Sequence, residues 1–490
     1  MVTIEKKEEV TIETIVDELR KHNISEEKIK EVRESYKLAN EIHKGVERES
    51  GDPYIIHPLN VANNLLKMEI YDPDSISAAL LHDTIEDAKD DFSKEDIAEI
   101  INPEVAELVD GVTKMRRMNF STKNDQNLAN TRKIINGLTK DVRIILIKLA
   151  DRIHNMETLE FKKPEKQVEN AIETMKLFVP LSLTIGAYQV KNVLEDLSLQ
   201  YIEPEEYKRI KDEKERLAIV EEPYLKEMGL KIEELLREKE IPNDIILRQQ
   251  TITTLYKKIK KGYQLKNIYD LFYLKLLVEE VEQCYQTLYI VHRLNPPING
   301  RFKDYIYNPR TNLYQSLHTT VSDTNGKLIK VKIRTFDMNK VAAYGIPALW
   351  NIREPKTKEQ TQIELREKCQ FAKKLIELDE SFEDNADFFR EISSELLTEH
   401  VYAYNHSGEI IELPAGSTAL DFACQVFPDS LDIMTGVLVN GKEVPLNRKL
   451  KNNDRVQIIT TGKINHDNWE NFAYTSSAKQ KIKTLNEQSK

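Results

Sequence analysis

The stretch AALLHDTIEDA, residues 78–88, decides how the first third of the chain is read. His82 and Asp83 end an apolar run, and Glu86 and Asp87 follow. A second stretch, LIKLADRIHNMETL at 146–159, sets Asp151 and Asn155 into another apolar segment. A buried carboxylate without a partner is expensive, so it neutralises, pairs or binds a metal. His57, in YIIHPLNVA at 54–62, is a further candidate ligand. Two imidazoles and two carboxylates, at 57, 82, 83 and 151, make a plausible divalent-metal site.

Both stretches are helical by pattern. Asp72-Pro73 reads as an N-cap followed by proline at the first helical position, opening the helix expected to carry His82. Asn102-Pro103 repeats that signal before EVAELVDGV. DVRIILIKLADRIHNM is apolar nearly all round, which predicts a helix at the centre of its domain. Asp151 and Asn155 are four apart and share a face of it.

Mixed nitrogen and oxygen ligands suit Mn²⁺, Fe²⁺ or Zn²⁺ better than Ca²⁺. Four protein ligands on an octahedral ion leave positions for a water and a phosphate oxygen. Such an ion acidifies the water and polarises the phosphorus. Glu86 and Asp87, one turn beyond His82 and Asp83, are placed to orient or deprotonate that water. Singly, each residue says little. An isolated histidine is usually structural, an HD dipeptide occurs by chance, and an acidic pair on a helix is ordinarily solvated. The joint pattern points to chemistry, and the adjacent His-Asp pair is the sign of an HD-type phosphohydrolase.

Length and composition bound the rest. A chain of 490 residues predicts about three domains. Hydrophobic content of 40% and charged content of 31% read as soluble and globular. No run of about 18 apolar residues predicts a membrane span, and MVTIEKKEEVTIETIV lacks the apolar centre of a signal peptide. Cysteines at 284, 369 and 424 have no paired spacing, which argues against disulfides and a Cys-based zinc site and fits a reducing cytoplasm. A net charge of −11 disfavours a general nucleic-acid binder, leaving local basic runs such as KKIKK as contacts.

Residues 1–195 read as an all-helical domain and 196–246 as a charged helical connector. From 247 to 355 short strand-like runs appear, including DLFYLKLLV, YQSLHTTV and LIKVKIRT, which predict a mixed α/β domain. Residues 356–398 return to charged helix. Residues 399–462 hold short strands with turns at NHSG, LPAG and VNGK, a small β-rich module. The tail, 463–490, is polar with an aromatic cluster at Trp469, Phe472 and Tyr474. The class is therefore multidomain, α and α+β.

Four strings carry a family resemblance: RESGDPYIIHPLNVA at 48–62, AALLHDTIEDA, LVDGVTKM at 108–115, and TRKIINGLTKDVRIILIKLADRIHNMETL at 131–159. Together they resemble the hydrolase domain of the RelA/SpoT homologues, which make and destroy the alarmones ppGpp and pppGpp of the stringent response. The later parts resemble the same family's nucleotidyltransferase-like synthetase domain and its β-grasp TGS domain. The resemblance runs from about residue 25 to 485. It implies that His57, His82, Asp83 and Asp151 hold Mn²⁺. It implies that Glu86 and Asp87 serve the water that cleaves the 3′-pyrophosphate, and that Arg48 and Asn155 contact the nucleotide. Glu49 stands where the family commonly has a basic residue.

In the middle domain RFKDYI at 301–306 resembles the motif of the bifunctional branch, Tyr314 matches the residue that stacks on guanine, and His318 is kept. Asp270 matches a metal-binding aspartate. The rest of the catalytic set departs from the family pattern. Lys330 and Ala343 replace glutamates, Leu349 a histidine, Lys275 an arginine and Leu313 a glycine, while Gln250 sits where an ATP-facing lysine is expected. Glu279 and Asp304 are the neighbours that would have to compensate. The expectation is a pseudo-synthetase, retained as a scaffold or a guanine-nucleotide sensor. Two alternatives are a bifunctional enzyme with residual synthesis and a non-enzymatic nucleotide-sensing regulator. In the TGS-like string at 400–429, Phe427 replaces a histidine associated with reading the tRNA 3′ end. That argues against tRNA or ribosome binding there and leaves a protein as a candidate partner. The family's later regulatory regions are absent from this sequence.

Overall fold

The computed structural model describes residues 10–88, 92–113, 141–309, 314–345, 400–452, 454–460 and 468–488. The chain forms two compact units, Met1–Ile376 and Glu377–Lys490. The helix read at 356–398 lies outside the described residues, as do Leu313, Leu349 and Cys369.

The first unit opens with helices α1 (Ile12–Lys21), α2 (Glu26–Ile42), α3 (Ile56–Lys67), α4 (Pro73–Leu81), α5 (Thr84–Asp87), α6 (Lys94–Ile100), α7 (Pro103–Val112) and α8 (Val142–Glu157). The start signals read from the sequence are used. Asp72 accepts from Ser75 N at 3.0 Å and Asn102 from Val105 N at 2.8 Å. Each satisfies an N–H that the helix itself leaves open. On α8 every residue from Val142 to Ala150 is buried. Arg143 survives there because Asp72, Asp141 and Glu104 answer its guanidinium. α3 lies along α8, and Asn64 Nδ2 ties it to Ala150 O at 3.2 Å. Leu149 on α8 is fully buried, so Leu149→Ala would cost about 2–5 kcal/mol.

One expectation is corrected. The helix begun at Pro73 does not carry His82 within it. It ends at Leu81, His82 caps it, and Asp83 precedes α5. Thr84 Oγ1 donates back to Leu81 O at 2.6 Å and holds the break. Successive residues on an unbroken helix point roughly 100° apart. The interruption lets His82 and Asp83 face one point.

Four more helices follow: α9 (Pro164–Glu173), α10 (Val179–Thr184), α11 (Tyr188–Ile202) and α12 (Pro204–Arg237). The apolar face of α12, including Ile210, Met228, Ile232 and Leu236, joins the core beneath a five-stranded sheet. Its strands are β1 (Asn243–Gln249), β2 (Phe272–Val278), β3 (Lys303–Asp304), β4 (Leu317–Ser322) and β5 (Leu328–Thr335), in the order β1-β2-β5-β4-β3. Only β2 and β5 pair parallel. Three helices accompany the sheet: α13 (Ile252–Lys260), α14 (Val281–Leu294) and α15 (Phe336–Tyr344). Strand alternation sends Leu274, Leu276, Ile329, Val331 and Ile333 into the core.

The helical and mixed parts are joined by polar ties. Glu195 on α11, 1% exposed, accepts from Lys191 and Lys257. Asp196 accepts the N–H groups of Ile252 and Thr253 at the start of α13, where a carboxylate complements the helix dipole. Gly345 has φ +72°, and a Cβ there would lie 1.9 Å from Ile185 O. Glycine is needed at that crossing.

The second unit contains β6 (His400–Tyr404), β7 (Ile410–Pro414), α16 (Ala419–Val426), β8 (Gly436–Val439), β9 (Lys442–Val444), β10 (Val456–Ile459), α17 (Trp469–Phe472) and α18 (Ser476–Gln488). Asp421 on α16 is buried yet satisfied. It accepts from Thr418, Tyr474 N and Thr475 N, which fastens the polar tail to the module. Trp469, Ala473, Ala478 and Ile482 join the same core as Phe422 and Leu420. Among the described residues no helix is long and apolar enough to cross a membrane.

Candidate metal centre

His57, His82, Asp83 and Asp151 come together between α3, the α4–α5 break and α8. His82 Nε2 lies 3.2 Å from Asp83 Oδ2 and 3.8 Å from Asp151 Oδ1. His57 Nε2 lies 3.6 Å from Asp83 Oδ2 and 3.3 Å from Asp151 Oδ1. Ligand atoms of His57, His82 and Asp83 all fall within 4.8 Å of one another. His82 Nδ1 is 2.8 Å from Ala79 O. A carbonyl only accepts, so Nδ1 carries a proton, and in the neutral ring that a metal ligand requires Nε2 presents its lone pair. That Nε2 is buried with no hydrogen-bond partner. An orphaned imidazole lone pair facing two carboxylates fits a divalent cation.

Electrostatics agree. Burial pushes His57 toward its neutral form. It would do the same to His82, but the Asp83 and Asp151 carboxylates reverse the direction and raise it. Burial would raise both carboxyls. Instead His82 and His57 hold Asp83 well below the usual carboxylate range, and His57, Lys148 and His82 hold Asp151 there. The negative field that draws a proton to His82 also draws a cation.

Several neighbours are not evident from the sequence. His57 Nδ1 lies 2.8 Å from His154 Nδ1, which fixes the ring of His57. Tyr54 Oη donates to Asp83 Oδ2 at 2.7 Å, and burial followed by the Asp83 charge raises its phenol. His43 caps α2, donates Nδ1–H to Ala39 O at 2.8 Å and turns Nε2 toward Asp87 Oδ2, 3.7 Å away. Lys148, 5% exposed, lies 3.7 Å from Asp151 Oδ2. His154 is three residues beyond Asp151, and that spacing is the one available signal. Tyr54 and His43 carry no pattern of their own.

Glu86 and Asp87 are half-buried on α5 beside the cluster. Arg48 reaches it from a tight turn in which Gly51, with φ +84°, brings Gly51 N to Arg48 O at 2.9 Å. Arg48 Nη2 donates to Asn155 Oδ1 at 3.1 Å, and Asn155 Nδ2 donates to Asp151 Oδ1 at 2.5 Å. Glu49 is exposed on the same turn.

The middle domain looks different. Asp270 receives Lys330 Nζ on Oδ2 at 2.9 Å and Lys258 Nζ on Oδ1 at 2.5 Å. Gln250 Nε2 adds a weak contact at 3.4 Å. Tyr314 Oη and His318 Nε2 are 2.7 Å apart. Asp304 accepts from Ile306 N, Tyr307 N and Tyr285 Oη, so it serves a turn. Of the basic run KKIKK, Lys257 pairs with Glu195, Lys258 with Asp270, and Lys260 lies over the Tyr256 ring.

Known proteins share this organisation. Residues 35–187 match the HD domain, 247–357 the region found in RelA / SpoT proteins, and 390–460 the TGS domain. A protein of Aquifex aeolicus named guanosine-3′,5′-bis(diphosphate) 3′-pyrophosphohydrolase is 36% identical over 97% of this chain and 67% of its own length. The bifunctional (p)ppGpp synthase/hydrolase SpoT of Escherichia coli K12 is 35% identical over 94% of this chain and 65% of its own. A GTP pyrophosphokinase of Myxococcus xanthus is 35% identical over 92% of this chain and 60% of its own. The chain thus spans 60–67% of the length of these three relatives. With these three domain matches and relatives 35–36% identical over most of its length, the chain belongs to the RelA/SpoT homologue family as a long, SpoT-like member.

Proposed function

We propose that the helical domain is a Mn²⁺-dependent 3′-pyrophosphohydrolase that converts ppGpp to GDP, and pppGpp to GTP, with release of pyrophosphate. The convergence of two imidazoles and two carboxylates on the orphaned Nε2 of His82 carries this reading. The Aquifex aeolicus relative named as a pyrophosphohydrolase and the Escherichia coli relative named as a synthase/hydrolase support the substrate. His57, His82, Asp83 and Asp151 would hold the ion, which when bound polarises phosphate and acidifies water.

The chain's own residues do the rest. The Glu86–Asp87 pair takes one proton from the attacking water, whose oxygen bonds to the phosphorus attached to the 3′ oxygen. The bond between that phosphorus and the 3′ oxygen breaks, pyrophosphate departs, and the proton held by the pair is returned to the 3′ oxygen. Arg48 neutralises phosphate charge at the mouth, and Asn155 positions both Arg48 and Asp151. His43 stands against Asp87 and restricts its orientation.

The middle domain is assigned no synthesis. Two ammonium groups already occupy the carboxylate of Asp270, where pyrophosphoryl transfer needs Mg²⁺. It keeps instead a place for a guanine nucleotide beside Tyr314. Two incubations test the assignment: ppGpp with Mn²⁺, and ATP with GDP and Mg²⁺, each resolved by ion-exchange chromatography. GDP and pyrophosphate from the first and no ppGpp from the second are expected. Labelled ppGpp in the second would refute loss of synthesis. Intact ppGpp in the first would refute the hydrolase.

A further inference from the structure

The face of the five-stranded sheet turned away from the core collects cations. Alternation places Tyr273 and Lys275 of β2 on it together with Lys330, Lys332 and Arg334 of β5. Arg248 of β1 lies opposite Tyr273 and shares that side.

Three observations give these cations a purpose. First, Asp270 holds an ammonium on each carboxylate oxygen, so a divalent ion there would meet two cations, and the trio of Asp270, Lys258 and Lys330 keeps a net positive charge. Burial would raise Asp270, yet Lys330 and Lys258 hold it below its usual range and therefore ionised. Second, Arg334 is 7% exposed, and its Nε and Nη1 find no hydrogen-bond partner among the described residues. Third, Lys275 is 5% exposed and donates to a neutral acceptor, Asn339 Oδ1, at 2.8 Å. Burial, then Arg334 and Arg248, push its ammonium down to about 7, with Asp244 the acid that opposes them.

Buried cations without counter-ions are unfavourable unless an anion completes them. Lys258 and Lys330 remain partly exposed, with side chains 29% and 22% accessible, so an anion from solvent can reach the cluster. Beside it stand the rings of Tyr314, Tyr305 and Tyr188, and the Arg334 guanidinium lies 5.6 Å from the centre of Tyr314. Phosphate charge and an aromatic shelf together match a nucleotide with a chain of phosphates.

We propose that this face binds the phosphates of a nucleoside polyphosphate directly, without a divalent cation, with the Lys330 ammonium standing where a metal would otherwise bridge Asp270 to phosphate. The inference rests on the nucleotide reading of the middle domain and adds to it the absence of any metal requirement. A charged lysine and an arginine with open donors supply what Mg²⁺ supplies elsewhere, and both are fixed in place before the ligand arrives.

Isothermal titration of the full chain with GTP, GDP and inorganic pyrophosphate, in EDTA and in Mg²⁺, decides it. GTP is expected to bind in EDTA as tightly as in Mg²⁺. Lys330→Gln and Arg334→Gln are each expected to weaken binding in EDTA on the order of tenfold, the effect of losing one charge-assisted hydrogen bond. Lys330→Glu is expected to make binding depend on Mg²⁺. Circular dichroism melts establish that each variant is folded, and Lys330, being partly exposed, is the safer of the two positions. Saturable binding only with Mg²⁺ would overturn the metal-free inference and leave the nucleotide reading standing. Binding in EDTA that neither Lys330→Gln nor Arg334→Gln alters would put the ligand elsewhere and overturn the inference. No saturable binding in either buffer would remove the nucleotide reading itself.

Discussion

Asn155 stands between Arg48 and Asp151: its Nδ2 donates to Asp151 Oδ1 at 2.5 Å while its Oδ1 accepts from Arg48 Nη2 at 3.1 Å. One amide thus links a group proposed to meet the nucleotide with a group proposed to hold the ion. The two roles separate by mutation. Arg48→Ala should raise KM for ppGpp and leave metal content unchanged. Asn155→Ala should raise KM and also weaken metal affinity by about 10–100-fold, the usual effect of removing a ligand's hydrogen-bond partner. Steady-state kinetics with metal analysis by mass spectrometry measures both. Metal content that is unchanged in Asn155→Ala would reduce Asn155 to a substrate contact.

His154 supports His57 from behind, with 2.8 Å between the two Nδ1 atoms. His154→Ala should lower metal affinity by about 10–100-fold with little change in far-ultraviolet dichroism. Near-normal affinity would mean that packing alone orients His57.

Synthesis should not return by one substitution. Lys330→Glu removes one ammonium from Asp270, but Lys258 remains and Ala343 and Gln250 stay as they are. Groups that act as a unit are not restored singly. Radiolabelled ATP with GDP should give no ppGpp from Lys330→Glu, and measurable product would show the domain to be one residue from activity.

Lys275 gives the fold a pH dependence. Its folded value is about 7 against an ordinary 10.5. Between those values the unfolded chain keeps a proton that the folded chain has shed, so its contribution to stability rises with pH across that window. Below about 7 both states are charged and the full penalty applies. Lys275→Met should therefore raise Tm at pH 6 by more than at pH 9.5. An equal shift at both would mean that Lys275 keeps its charge in the fold.

Much of this is legible in the sequence, for identifiable reasons. The helix starts at Pro73 and Pro103 are local signals, and the structure uses them. The strand runs around 272–278, 317–322 and 328–335 announce themselves by alternation and β-branched content. The break after Leu81 is less plain: His82, Asp83 and Thr84 are weak helix formers, but no glycine or proline marks a stop, and the Thr84 hydroxyl bond to Leu81 O that accompanies the break is not visible in the string. Lys258 is hidden in a basic run that reads as solvated, while its partner Asp270 is twelve residues away. Trp469 and Ile482 sit in a polar tail whose apolar residues are too sparse to show that they join a core. Local patterns carry the elements, and tertiary pairing carries the residues that complete each site.

The most direct measurement follows metal and chemistry in the same sample. Metal-stripped protein is titrated with Mn²⁺, bound ion is counted by electron paramagnetic resonance, and pyrophosphate release from ppGpp is recorded at each point. Activity is expected to rise in proportion to the first bound ion per chain, and Asp83→Asn is expected to lose both binding and activity while melting normally. Full hydrolysis by the stripped protein, or full hydrolysis by Asp83→Asn, would contradict a catalytic ion held by His57, His82, Asp83 and Asp151.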